Sequence, residues 1–202
     1  MDLTPVTLTG SIIRLEPLGL HHAAGLLKAA AYDEIWSYLD EPTPQRIEDA
    51  EALIRDAENE QANGARLPFA TIDVSTGEVI GSISLIDIRQ RDRAVEVGWA
   101  WLTPGSWRTG ASRESVFMLM HHAFETMGTI RVAYKTDSRN VRSQNSILGI
   151  GAKQEGIFRS HRILSDGYVR DSIYYSVIEA EWPTVRDRYQ AREAAGRLPA
   201  DR

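Results

Sequence analysis

Residues 94–115 read AVEVGWAWLTPGSWRTGASRES, and three kinds of local structure meet in them. AVEVGWAWL alternates as a strand does, with Val95, Val97, Trp99 and Trp101 to one side and Glu96, Gly98 and Ala100 to the other. TPGSWRTG carries two glycines and three hydroxyl residues and reads as a loop. After it, Val116, Leu119, Met120, Ala123, Phe124 and Met127 recur at helical spacing and stop at Gly128. The first backbone N–H groups of a helix have no partner within it, and the helix dipole adds about half a positive charge there. Gly110, Ala111 and Ser112 are small enough for an anion to approach those amides, and Thr109, Ser112 and Arg113 can add donors. The loop matches neither the spaced glycines and lysine of a nucleoside-triphosphate loop nor G-x-G-x-x-G. Taken alone, it reads first as a plain strand–loop–helix connection.

On the N-terminal side, SIIRLEPL (11–18) reads as a strand ending at Pro17, and residues 19–40 hold helical material with Leu20, Ala24, Leu27 and Ala31 on one face. Thr43 is an expected N-cap, with Pro44 at the first position of a helix that runs through Ile47, Ala50, Leu53, Ile54 and Ala57 to Gly64. LPFATIDV and EVIGSISLIDI form a hairpin about STGE. On the C-terminal side come the strand IRVAYKT, a short helix in SRNVRSQNSILGIG with Ser138 as expected N-cap, a hairpin about SDGY, and a polar helix over about 179–197. With no repeat or linker, residues 1–202 are expected to form one α+β domain with a mostly antiparallel sheet.

Composition narrows the chemistry. A hydrophobic fraction of 43% and a charged fraction of 25% are those of an ordinary globular chain. There is no cysteine, which excludes disulfides, cysteine zinc sites, a thiol nucleophile and a cysteinyl acyl-enzyme. No run of 18 apolar residues and no leader pattern occurs, so the expectation is a cytoplasmic protein without a membrane partner. A net charge of −5 argues against a nucleic-acid partner and leaves room for a cationic substrate such as an amine. No metal-ligand spacing is present: His121 and His122 are adjacent on a helix, diverge, and are expected at the surface.

The order of elements, carried by LTGSIIRLEPL, VGWAWLTPGSWRTGASRES and TDSRNVRSQNSILGIGAKQEGIFR, resembles the GNAT superfamily of acyl-CoA-dependent N-acetyltransferases. Within it the chain looks like the ribosomal-protein N-terminal acetyltransferase (Rim-like) branch, from residue 7 to about 185. The resemblance implies a mixed, mostly antiparallel sheet with splayed fourth and fifth strands and helices on both faces. It also implies acetyl-CoA as co-substrate and no metal. Its pyrophosphate would lie on Trp107, Arg108, Thr109, Gly110, Ala111, Ser112 and Arg113, and its pantetheine arm along the backbone of Trp101, Leu102 and Thr103. Trp107 stands where the family's loop begins with Gln or Arg, and Ser112 where it more often has Gly or Ala.

Acetyl transfer to an amine needs a neutral amine, a stabilised oxyanion and a proton for the departing thiolate. Glu96 matches the family's general-base glutamate and points away from the Val/Trp stripe; a charge on a solvated face is the competing reading. Asp171 is a second candidate. Asn140 and Ser143 share a helical face by spacing. The resemblance puts Asn140 on the cofactor and Ser143 near its sulfur, whereas a plain N-cap and first-turn serine is the alternative. Trp36 and Tyr38 fall where the family's first helices cover the amine acceptor. The implied activity is direct transfer to a primary amine on a small molecule, an aminoacyl compound or a protein N-terminus, with a homodimer common in this branch. A CoA-binding sensor or structural module without turnover is the alternative.

Overall fold

In the computed structural model, which describes residues 1–196, the sheet has eight strands in the order β1-β2-β3-β4-β5-β6-β8-β7. They are β1 (Leu8–Thr9), β2 (Ile13–Pro17), β3 (Leu67–Asp73), β4 (Val79–Arg89), β5 (Ala94–Leu102), β6 (Arg131–Asp137), β7 (Lys153–Ile163) and β8 (Val169–Ile178). Only β5 and β6 pair in parallel; the other neighbours are antiparallel. The strand that the resemblance counts as fourth is β5, because the short β1 adds one.

Helices cover both faces. Between β2 and β3 lie α1 (Ala23–Ala30), α2 (Asp33–Trp36) and α3 (Ile47–Ala62). Leu26, Ile35, Trp36, Ile54 and Ala57 from these helices pack with Ala70, Ile72 and Trp101 into one core. The other face carries α4 (Ala111–His121), prolonged by a π turn over His122–Thr126, with α5 (Val141–Gly149) and α6 (Trp182–Ala194). Leu119, Met120, Phe124, Ile147 and Trp182 meet Val95, Val97, Leu102, Val132 and Tyr175 there.

The expected alternation along β5 breaks after Gly98. Gly98 opposes Ser84 and Trp101 opposes Ser82, so three steps on β5 face two on β4. The extra residue is a β-bulge at Trp99, whose φ is 50°. It re-phases the strand: Val95, Val97 and Leu102 enter the α4 core, whereas Trp101 enters the α3 core. Gly81 lies against this segment, where a Cβ would clash with the Trp101 carbonyl oxygen.

Two helix starts and one surface assignment are corrected. α3 begins at Ile47 rather than Pro44, because the Asp49 carboxylate accepts the N–H groups of Gln45 and Arg46 at 3.0 and 2.9 Å, while the Thr43 hydroxyl donates to Asp33. α5 is capped by Asn140 rather than Ser138. His122 is buried, and burial holds its pKa below the usual histidine value.

Glu114, in the first turn of α4, ties that helix to the start of the sheet. Its carboxylate accepts the N–H groups of Ser11, Ile12 and Ile13, each at 2.8 Å, and the Ser11 hydroxyl at 2.7 Å. A side chain at Gly10 would meet that carboxyl group at 2.5 Å.

Candidate active site

Pairing of β5 with β6 runs from Ala94↔Arg131 to Val97↔Tyr134 and stops. Beyond it the bulge turns β5 away, so Gly98–Leu102 have no strand partner on that side. Tyr134, at the last pair, is buried with its hydroxyl unbonded among the described residues. Burial raises its pKa well above the ordinary tyrosine value, keeping the hydroxyl protonated. An unpartnered buried donor beside a strand edge with free backbone groups suits a polar, extended ligand.

The loop after β5 leads to the N-terminus of α4 at this gap. Gly110 takes the N-cap position at φ 96°, a left-handed conformation natural to glycine, and no side chain caps the helix. Thr109 instead bonds backward to the Ser106 carbonyl at 2.8 Å and weakly accepts the Ala111 amide at 3.3 Å. The amide of Ser112 has no partner among the described residues. The exposed Arg108 also has positive φ, at 65°. These features fit an anion seated on the first turn of α4.

Other expected cofactor contacts are used within the protein. The Thr103 N–H donates to Ile80 O at 2.7 Å, and the Leu102 carbonyl accepts the Trp107 indole N–H at 2.8 Å. Trp107, the residue in place of Gln or Arg, is therefore a brace for the strand end. Arg113 is buried and lines a recess between α4 and α6 with Phe117, Tyr189 and Arg192, away from the loop's exposed side. Sequence reading missed the cation that does reach the loop: the Arg142 guanidinium, from α5, stacks 3.7 Å from the centre of the Trp107 ring. No local signal pairs residues this far apart.

Across the gap, the Asn140 side chain accepts the Ser143 amide at 3.0 Å and so caps α5. The half-buried Ser143 hydroxyl makes no hydrogen bond among the described residues. Asn140 therefore acts as the N-cap of α5 through its side-chain oxygen, and the hydroxyl of Ser143 is left available.

On the sheet face opposite α4, Glu96 is only 4% exposed rather than solvated. Burial raises its pKa, and Lys135, with Nζ 3.2 Å from Oε1, pulls the other way. Lys135 also approaches the Tyr174 ring, whose hydroxyl lies 3.4 Å from His161 Nε2. Asp171 is occupied otherwise: its carboxylate accepts the Ser160 amide at 2.7 Å and fixes an irregular stretch of β7. Trp36 is buried and bonded to Ala30 O at 2.8 Å, with its ring 5.6 Å from that of Trp101. Tyr38 lies apart from it, bonded at 3.5 Å to the carbonyl of Arg139, which precedes α5. Glu16, His21 and His22 bring ligand atoms within 4.8 Å of one another. Both nitrogens of His22 are already engaged by Gly19 N–H and Glu16, and Arg14 holds Glu16.

Comparison with known proteins agrees with this fold. Residues 13–153 match the model of the acetyltransferase (GNAT) domain. A GCN5-related N-acetyltransferase from Brucella melitensis is 29% identical with a TM-score of 0.87, covering 93% of this chain and 85% of that one. The uncharacterized N-acetyltransferase YoaA of Bacillus subtilis is 25% identical over 78% of this chain and 88% of its own. The fold is also that of the microcin C7 self-immunity acetyltransferase MccE, solved with acetyl-CoA and AMP, at 20% identity and a TM-score of 0.76, covering 84% of this chain and 93% of that one.

Proposed function

The chain belongs to the acetyltransferase (GNAT) family, and from that premise we propose that it transfers acetyl from acetyl-CoA directly to a primary amine within a ternary complex. It is an acyltransferase, and acetyl-CoA-dependent N-acetyl transfer is general for the family. The observation that carries the proposal is the parting of β5 from β6 after Val97↔Tyr134, beside an α4 N-terminus without a side-chain cap.

In this reading the first-turn amides of α4, with Gly110 giving close approach, hold the pyrophosphate, and Arg142 supplies the charge that Trp107 does not. The thioester end enters along the unpaired edge of β5. Glu96, a buried carboxylate of raised pKa, takes a proton from the ammonium form of the acceptor, so that the neutral nitrogen can attack the thioester carbon. The C–N bond forms, the C–S bond breaks, and the proton that nitrogen then sheds reaches the thiolate through the Ser143 hydroxyl, which gives up one proton and takes up the other. Lys135 orients Glu96. The reading extends to a Rim-like enzyme acting in the cytoplasm. It forms a homodimer along the edge strand β7, where Ile157, Phe158 and Ile163 are exposed.

Calorimetric titration with acetyl-CoA tests the core of this. Wild type should bind with micromolar affinity, about −8 kcal/mol, and Gly110→Asp should not, since a carboxylate there repels the pyrophosphate. A folded wild type that ignores acetyl-CoA would sink the reading. A CoA-binding module without turnover would bind equally well and release no CoA with any amine.

A further inference from the structure

A cavity of about 350 Å³ lies between α3 and the sheet, on the same face as Glu96. Its apolar wall includes the indoles of Trp36, Trp99 and Trp101, and its polar wall Glu41, Asp56 and Glu60 against the guanidinium of Arg66. Trp99 and Trp101 belong to the stretch of β5 beyond its last pair with β6, so one wall of the cavity is the strand segment whose free edge is assigned to the thioester.

The charges do not balance. Arg66 is already engaged: its Nη1 lies 3.1 Å from Glu60, its Nε donates to Ser84 Oγ at 2.8 Å, and its plane lies 4.8 Å from the Trp99 ring centre. Glu41 and Asp56 have no ion-pair partner among the described residues. The Glu41 carboxyl is pushed up by burial and then by the negative charges of Asp40 and Asp56. Asp56 is exposed, and Arg66 feels its charge as well as that of Glu60. Three carboxylates against one guanidinium still leave the cavity net acidic, and an acidic wall facing a box of indoles suits a weakly hydrated organic cation.

That cation is not the reacting amine, which is neutral when it attacks and would leave Glu41 and Asp56 uncompensated at the moment of transfer. We propose that the acceptor is a small diamine: one primary amine reacts at the β5–β6 gap, and a second, protonated and separated by an apolar spacer, sits between Glu41 and Asp56 against the indoles. The proposal rests on the acyl-transfer reading. Only the reacting nitrogen changes, gaining the acetyl carbon and losing a proton that leaves with the thiol; the second ammonium is unaltered.

The probes are 1,5-diaminopentane and pentylamine, which share a spacer and differ by one charge. The purified chain is titrated with each by calorimetry, with acetyl-CoA titrated separately. Coupled CoA release gives kcat/KM for both amines. Wild type should bind the diamine at least tenfold more tightly than pentylamine and acetylate it with a correspondingly higher kcat/KM. Glu41→Gln/Asp56→Asn changes two side chains outside the packed core and should erase the preference while leaving acetyl-CoA binding intact. Acetyl-CoA binding with equal use of both amines would overturn the diamine proposal alone, and wild type suffices for that comparison. A double variant that keeps the preference would overturn it too. Diamine binding without acetyl-CoA binding would instead overturn the acyl-transfer reading, and with it the acceptor role.

Discussion

The Arg142 guanidinium lies over the Trp107 indole, 3.7 Å from the ring centre, across the loop that opens α4. The loop carries an indole at 107 and takes a cation from another helix. Arg142→Ala should weaken acetyl-CoA by about tenfold or more, the scale of one charge-assisted hydrogen bond. The wild-type advantage should shrink as salt is raised. Calorimetry at two ionic strengths checks both; unchanged affinity would leave the stacked pair a purely structural one.

Glu96→Gln should lower turnover by about 10²-fold or more, the scale of lost general-base catalysis. In wild type the rate should rise with pH through the raised pKa of Glu96, and this limb should vanish in the variant. For stability, a carboxyl whose folded pKa is raised contributes stability that is fully present below its unfolded value and is lost as pH rises through the folded one. Glutamine removes that loss and retains a hydrogen-bonding group for Lys135. Melting temperatures at pH 7.5 should therefore show the variant no less stable than wild type. A large drop in melting temperature would mean that the Lys135 pair is a structural tie instead.

Ser143→Ala and Asn140→Ala separate chemistry from capping. Removing the Ser143 hydroxyl should lower kcat, with KM for acetyl-CoA and the melting temperature little changed. Removing the Asn140 cap should cost about 1 kcal/mol of stability. Steady-state kinetics and thermal melts on the two variants decide this: equal losses of stability would leave Ser143 no separate role.

Glu114→Ala should be the most destabilising of these changes. It leaves the amides of Ser11, Ile12 and Ile13 without their acceptor, at about 1–3 kcal/mol for the buried Ile13 donor and less for the two that water can reach. Summed over three donors, that is a melting-temperature loss of roughly 10 °C for a chain of this size. A melt within 2 °C of wild type would show that water replaces the carboxylate.

Local pattern revealed the order of strands and helices, the STGE and SDGY turns and the apolar stripe of α4, because each depends on neighbours a few residues apart. The bulge at Trp99 escaped it: an extra residue leaves a period-two pattern looking regular until the partner strand's register is known. Of the candidate site, spacing alone offered the glycine that opens α4 and the shared helical face of Asn140 and Ser143. Lys135 against Glu96 and Arg142 against Trp107 are meetings across a parallel crossover and between separate elements, with no trace in spacing. Glu114 drew no reading from the sequence, because its donors lie about a hundred residues earlier.

The register around Trp99 has a further implication. Without that residue, Gly98 and Trp101 would still face Ser84 and Ser82, now at equal intervals, and Leu102 and Trp101 would keep their present sides. A chain lacking Trp99 would therefore have a straighter, better-paired strand between two intact cores, and no opening beside β6. The bulge gives up regular pairing, and what it leaves in exchange is the free strand edge on which the proposed thioester site rests.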